Sequence, residues 1–163
     1  MVNIHTVAVI GSGTMGAGIA EVAASHGHPV LVYDIDAAAI SRAVDGIRQR
    51  LSSRVARGKL SADAGEQILA RLTPVTNISA LAKADLVIEA ASERLEVKKA
   101  LFTQLAEVCP PQILLASNTS SISVTAIAAE INHPERVAGL HFFNPAPVMK
   151  LVEVVSGLAT SPE

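Results

Sequence analysis

The chain has 163 residues, half of them hydrophobic, and a formal net charge of −2. That length suits one domain with a substantial core. A nearly balanced charge and only four aromatic residues (Tyr33, Phe102, Phe142, Phe143) argue against a nucleic-acid partner. No apolar run reaches the ~18 residues of a membrane span, so no membrane partner is expected. No secretory leader is visible. The single cysteine, Cys109, excludes an internal disulfide and reads as a structural thiol in an intracellular, cytoplasmic protein. No His or Cys cluster has metal-ligand spacing, so no metal is expected.

The first predicted strand is Thr6–Ile10, a β-branched run that enters Gly11-Ser12-Gly13-Thr14-Met15-Gly16. A helix follows from Thr14 to His26 and stops at Gly27. Val30–Tyr33 is the second strand. The next helix runs from Asp36 to Arg57, with Ile40, Val44, Ile47, Leu51 and Val55 at helical spacing. Ser61 starts another helix that reaches Leu72. Pro74–Ile78 reads as a short strand and Ser79–Lys83 as a turn or short helix. Leu86–Ile88 is a strand that ends at Glu89–Glu93. A long helix then runs to Val108 and is halted by Pro110-Pro111. Ile113–Ala116 is a strand opening into Ser117-Asn118-Thr119-Ser120-Ser121. Val124–Glu130 is helical, Arg136–Leu140 is a strand ahead of His141, and Met149–Val155 is the last strand. Strands alternating with helices predict an α/β fold: a Rossmann-like, doubly wound, mostly parallel sheet with helices on both faces. Ligands bind such sheets outside the carboxyl ends of the strands. Five strand ends carry polar residues, so they are expected to face one crevice.

The glycine turn has a distinct demand at each glycine. Gly11 permits the tight turn, Gly13 lets a pyrophosphate approach the backbone, and Gly16 lets helix and strand pack closely. The helix N-terminus offers unpaired N–H groups and partial positive charge to phosphate. Gly11, Gly13, Thr14, Met15 and Gly16 are thus candidate cofactor residues. Asp34 ends the second strand where dinucleotide folds place the acid that binds the adenosine ribose. A carboxylate there repels a 2′-phosphate, which favours NAD over NADP. A fortuitous turn with Asp34 as a helix cap is the competing reading.

His141 is the candidate acid–base group, because histidine titrates near neutral pH. An antiparallel return from the Pro145–Pro147 turn would bring Glu153 beside it, to fix the tautomer and stabilise the imidazolium. A structural histidine with Glu153 in an edge strand fits the spacing equally well. Ser120 is either a hydrogen-bond donor to a ligand or part of a helix-capping loop. Arg50, Arg54 and Arg57 share one helix face, either as a solvated surface or as a patch for a phosphorylated ligand.

Taken together, these stretches resemble the L-3-hydroxyacyl-CoA dehydrogenases. The resemblance rests on Gly11–Ala20, on Ser117–Ser121 and above all on Gly139–Glu153. It implies that His141 takes the 3-hydroxyl proton of the acyl-CoA while hydride leaves for NAD, with Glu153 as its partner. It implies that Ser120 binds substrate near the reacting oxygen. Ala90, Glu93, Lys98 and Asn144 would line the nicotinamide half of the cofactor site, Asn144 also near substrate. Arg50 and Arg57 would hold the CoA nucleotide. The family adds an all-helical domain that completes the acyl pocket and the homo-oligomer contact. Residues 1–163 therefore read as the NAD-binding domain of a longer protein, inactive alone, with apolar surface expected near Met149–Val155. Two alternatives share parts of the pattern: another β-hydroxyacid dehydrogenase, or a non-enzymatic, crystallin-like relative.

Overall fold

The computed structural model describes residues 3–162. They form, in chain order, β1 (Val7–Ile10), α1 (Thr14–Ser25), β2 (Val30–Tyr33), α2 (Ala37–Ala56), α3 (Ala62–Ala70), β3 (Leu72–Val75), β4 (Leu86–Glu89), α4 (Leu95–Val108), β5 (Leu114–Ser117), α5 (Val124–Ala128), β6 (Val137–Phe142) and β7 (Val152–Ser156). Short 3-10 turns at Ile78–Lys83 and Pro134–Arg136 precede β4 and β6. The strands form one sheet of order β3-β2-β1-β4-β5-β6-β7. All pairings are parallel except that of β7, which runs antiparallel to β6. The chain therefore has the expected Rossmann-like, doubly wound architecture.

The period-two alternation of β1 divides the core. Val7 and Val9 point into a cluster with Ile19, Ile40 and Ile47 from α1 and α2. Ala8 and Ile10 point the opposite way, toward Phe102, Leu105 and Ile127 from α4 and α5. A strand covered on both faces has to be apolar throughout, as β1 is. In α2, Ile40, Ala43, Ile47 and Leu51 are buried, at the spacing of one helix face. Asp36 caps that helix by accepting from the Ala38 amide at 2.9 Å, and Ser61 caps α3 through Ala64 at 3.1 Å.

At four places the boundaries differ from the sequence expectations by more than one residue. Leu72 lies in β3 rather than in the preceding helix. There it pairs with Val30, and Pro74 is tolerated because β3 is an edge strand. Asn77 and Ile78 leave the strand, since the Asn77 side chain accepts from Ser79 and starts a 3-10 turn. Helix α5 ends at Ala128 rather than Glu130. Strand β6 extends through His141 to Phe142, and β7 begins only at Val152, because the two strands pair as His141↔Glu153 and Phe142↔Val152.

Arg136 is buried and donates to the carbonyls of Ala106, Cys109, Pro110 and Ile113. It thereby satisfies acceptors at the C-terminal end of α4. Around β7 the surface is apolar: Val148, Leu151, Val154 and Leu158 are all well exposed. Among the described residues no helix is long and apolar enough to cross a membrane.

The tightest packing is at the first turn. A Cβ on Gly16 would stand 1.8 Å from the Gly11 carbonyl oxygen, whereas one on Gly13 would meet nothing within 4 Å. Gly16→Ala should therefore cost about 3 kcal/mol, the upper end of overpacking penalties, while Gly13→Ala should be nearly neutral. Urea unfolding of the two variants against wild type checks the contrast.

Candidate functional site

The carboxyl ends of the parallel strands open on one side of the sheet. β1 leads into Gly11, which adopts φ +93° and lies against the Ala90 carbonyl after β4. A left-handed backbone there favours glycine. Gly13 is the N-cap of α1 and no side chain caps the first turn, so the helix presents its amides outward. Thr14 and Gly13 are exposed and Met15 is half-buried beside them. A cleft of about 390 Å³ runs from Gly11 and Gly13 past Asp34 and Ile35 to Ala90 and Leu101.

Asp34 is held in place from both sides. Oδ2 accepts from the Ser12 amide at 2.8 Å and the Ser12 hydroxyl at 2.6 Å, and Oδ1 accepts from the Asp36 amide at 3.0 Å. Partial burial pushes its pKa upward, but the Ser12 hydroxyl and the amides of Asp36 and Ser12 outweigh that and hold it below the ordinary carboxylate value. Asp34 is not the helix cap; Asp36 is. Ile35 beside it is 96% exposed, an apolar side chain at the mouth of the cleft.

At the other end, His141 Nδ1 lies 3.0 Å from Glu153 Oε2. His141 is one-fifth exposed and Glu153 half exposed. The His141 ring also packs at a tilt on Phe143, with centroids 4.6 Å apart. With Nδ1 turned to the carboxylate, Nε2 is the nitrogen left for a ligand. Ser120 is exposed on the loop after β5 and borders a groove with Gly139 and Val155, neighbours of the His141–Glu153 pair in the ladder. Asn144 is exposed just past β6.

Lys98 belongs to a buried ionic group whose other member, Glu89, the sequence did not assign to it. Glu89 has no exposure and Lys98 is 2% exposed. Lys98 Nζ donates to both Glu89 oxygens, at 2.8 and 2.7 Å. Glu89 also accepts from the Ala91 amide and the Ser117 hydroxyl. Lys98 Nζ is thus committed to Glu89 rather than free at the surface. Glu93 is half exposed, 4.0 Å from Lys98, and accepts from the Thr119 hydroxyl. The legible signal was a carboxylate ending an apolar strand, Leu86-Val87-Ile88-Glu89. Arg50 is likewise committed: its guanidinium grips the buried Glu21 of α1 at 2.7 Å. Arg57 is exposed at the end of α2.

An open glycine turn, an uncapped helix start and a fixed acid at the second strand define a dinucleotide-binding α/β domain. A family model described as 3-hydroxyacyl-CoA dehydrogenase, NAD binding domain, matches residues 6–163, and the chain belongs to that family. The 3-hydroxyadipyl-CoA dehydrogenase of Escherichia coli K12 is 79% identical over 163 residues, covering 100% of this chain and 34% of that protein. A probable 3-hydroxybutyryl-CoA dehydrogenase of Bacillus subtilis is 42% identical over 98% of this chain and 56% of its own length. The crystal structure of 3-hydroxybutyryl-CoA dehydrogenase from E. coli K12 matches with a TM-score of 0.97 at 79% identity, over 98% of this chain and 34% of that one. That of (S)-3-hydroxybutyryl-CoA dehydrogenase from Ralstonia eutropha matches with a TM-score of 0.95 at 40% identity, over 98% and 56%. The chain therefore spans between a third and somewhat over half of these relatives.

The family's dinucleotide is NAD, and the residues fit it. Space is open at Gly13, the helix amides are uncapped, and Asp34 keeps a fixed negative charge on the same cleft. Because its folded pKa is lowered, the stability contributed by the Asp34 bonds is present above the unfolded carboxylate pKa. It is lost as pH falls through the lower folded value. NAD affinity should therefore stay level between about pH 5 and 8, since Asp34 remains ionised there. Asp34→Ala should weaken NAD at least about tenfold, by removing charged hydrogen bonds, and narrow the preference against NADP. Gly13→Ala should fold normally yet lose NAD affinity. Calorimetric titration of the chain with each dinucleotide measures all three.

Proposed function

We propose that this chain is the cofactor-binding and proton-transfer half of an enzyme that oxidises (S)-3-hydroxyacyl-CoA to 3-oxoacyl-CoA. The observation that carries the proposal is the His141–Glu153 pair at the carboxyl end of the sheet, 3.0 Å apart. Glu153 orients the imidazole through Nδ1 and leaves Nε2 to accept the proton of the 3-hydroxyl. The imidazolium so formed is stabilised by the same carboxylate. Ser120 donates a hydrogen bond to the reacting oxygen and keeps it in reach of His141. Gly11, Gly13, Thr14, Met15 and Gly16 hold the pyrophosphate, and Asp34 holds the adenosine ribose. Ala90, Glu93 and Asn144 border the nicotinamide side, with Lys98 supporting them from below. NAD, when bound there, supplies the acceptor for the hydride leaving C3.

The substrate class rests on the family and on relatives named for hydroxyacyl-CoA substrates. Arg57 is the freer candidate for the CoA nucleotide. Arg50 serves that role only with the guanidinium edge that Glu21 does not occupy. The exposed apolar surface from Val148 to Leu158 supports a further domain packed beside β7 in a longer, homo-oligomeric protein. A surface of that kind marks an interface. A buried lone cysteine accords with a cytoplasmic location.

In the longer protein, His141→Gln should lower kcat by about two to four orders of magnitude while leaving the Kd for NAD within about twofold. The 163-residue chain itself should bind NAD and show no appreciable turnover. Stopped-flow assays with 3-hydroxyacyl-CoA and free 3-hydroxy acids, alongside NAD titration, check both. Equal loss of turnover and NAD affinity in His141→Gln would make the histidine structural.

A further inference from the structure

The ends of β4 and β5 and the first turns of α4 meet at one carboxylate. Glu89 is fully buried, and its four acceptor positions are all taken: two by Lys98 Nζ, one by the Ala91 amide and one by the Ser117 hydroxyl. Its backbone carbonyl accepts from Asn118 at 2.8 Å as well. On one side Glu89 is tied to the cofactor turn, because the Ala90 amide donates to Ile10 and the Ala90 carbonyl lies 2.6 Å from where a Cβ of Gly11 would stand. On the other side it is tied to the loop 117–121. In that loop Ser117 is held by Glu89, Asn118 accepts from the Phe142 amide next to His141, and Thr119 donates to Glu93. Ser120 follows as the exposed residue. Each of the three residues before it is anchored through its side chain.

We propose that Glu89 is a positioning residue for the reaction. Its buried carboxylate sets the height of the 117–121 loop, and hence of Ser120, relative to the glycine turn and His141. Lys98 is the counter-charge that lets a carboxylate sit there at all. A carboxylate suits the task because it alone accepts from an ammonium, a hydroxyl and an amide at once. The role given to Ser120 rests on the proposed 3-hydroxyacyl-CoA reaction; the geometric role of Glu89 does not.

Two variants test this. Ser117→Ala removes the hydroxyl donor to Glu89, together with the acceptor of the Thr119 amide, and leaves no charge unpaired. Glu89→Gln alone risks unfolding, because it leaves Lys98 buried without its counter-charge. The second variant is therefore Glu89→Met with Lys98→Met, which replaces the ion pair by apolar chains of similar length. In the 163-residue chain this double variant should remain folded and show displaced amide resonances at Ser120 and Phe142. In the longer protein Ser117→Ala should lower kcat by about ten- to a hundredfold through misplacement, with KM for NAD unchanged. Added to Ser120→Ala, it should cost less than about a further twofold. Unmoved Ser120 and Phe142 resonances in the folded double variant overturn the proposal. So do losses that multiply in Ser117→Ala/Ser120→Ala. If the wild-type longer protein oxidises no 3-hydroxyacyl-CoA, the functional proposal fails instead, and the resonances alone decide the role of Glu89.

Discussion

Gly16 rests on the Gly11 carbonyl so closely that no side chain fits between them. That contact presses the start of α1 onto the end of β1, an interior strand of the sheet flanked by β2 and β4. β1 pairs in parallel with β2 on one side and β4 on the other, with Val7 opposite both Val30 and Leu86. The sheet therefore spreads outward from the strand that the glycine turn terminates. Helices reach both faces because the chain builds outward from β1 to β2 and β3, then crosses back to β4 and builds the other way to β5 and β6. The crevice lies where those directions diverge, above the same turn. Packing and binding thus share one cause: the absence of side-chain atoms where helix meets strand.

The buried charged side chains fall at three places in the fold. Glu89–Lys98 ties β4 to α4, Glu21–Arg50 ties α1 to α2, and Arg136 closes the end of α4 on main-chain carbonyls. Burying an ion pair is a poor source of stability, since desolvation offsets most of the attraction. What such groups confer is geometry, because an orphaned partner costs several kcal/mol and so the arrangement cannot drift. Two of the three lie at strand ends or helix termini, where chain direction changes and local propensity says little.

The proposed acid–base pair depends on a different constraint. His141 and Glu153 are opposite one another in an antiparallel ladder. A slip of one residue would send Glu153 to the other face of the sheet. The pairing also lengthens β6 through Phe142, so the histidine sits inside a strand rather than in a mobile loop. Its orientation is set by backbone hydrogen bonds before any ligand arrives. The outward faces of β7 remain apolar and exposed.

The parts of this protein legible from residues alone are those whose physics is local. The β-branched run into Gly11–Gly16, the acid at Asp34 and the apolar face of α2 each carry their meaning within a few turns of chain. The hairpin that pairs His141 with Glu153 was also within reach, because a proline-rich turn separates two short apolar runs. Boundaries failed where tertiary pairing overrode propensity, as at Leu72 and Phe142, which were drawn into strands by their neighbours. Two roles emerged only from the folded chain. Arg50 looked like a free surface charge until Glu21, a helix away, was found beneath it. Glu89 looked like the polar end of a strand, yet it gathers an amide, a hydroxyl and an ammonium from three separate elements. The sequence by itself determined that this is a dinucleotide-binding domain. Only the tertiary structure decided how the remaining polar groups are braced, because a buried charge takes its role from partners that are distant in the chain.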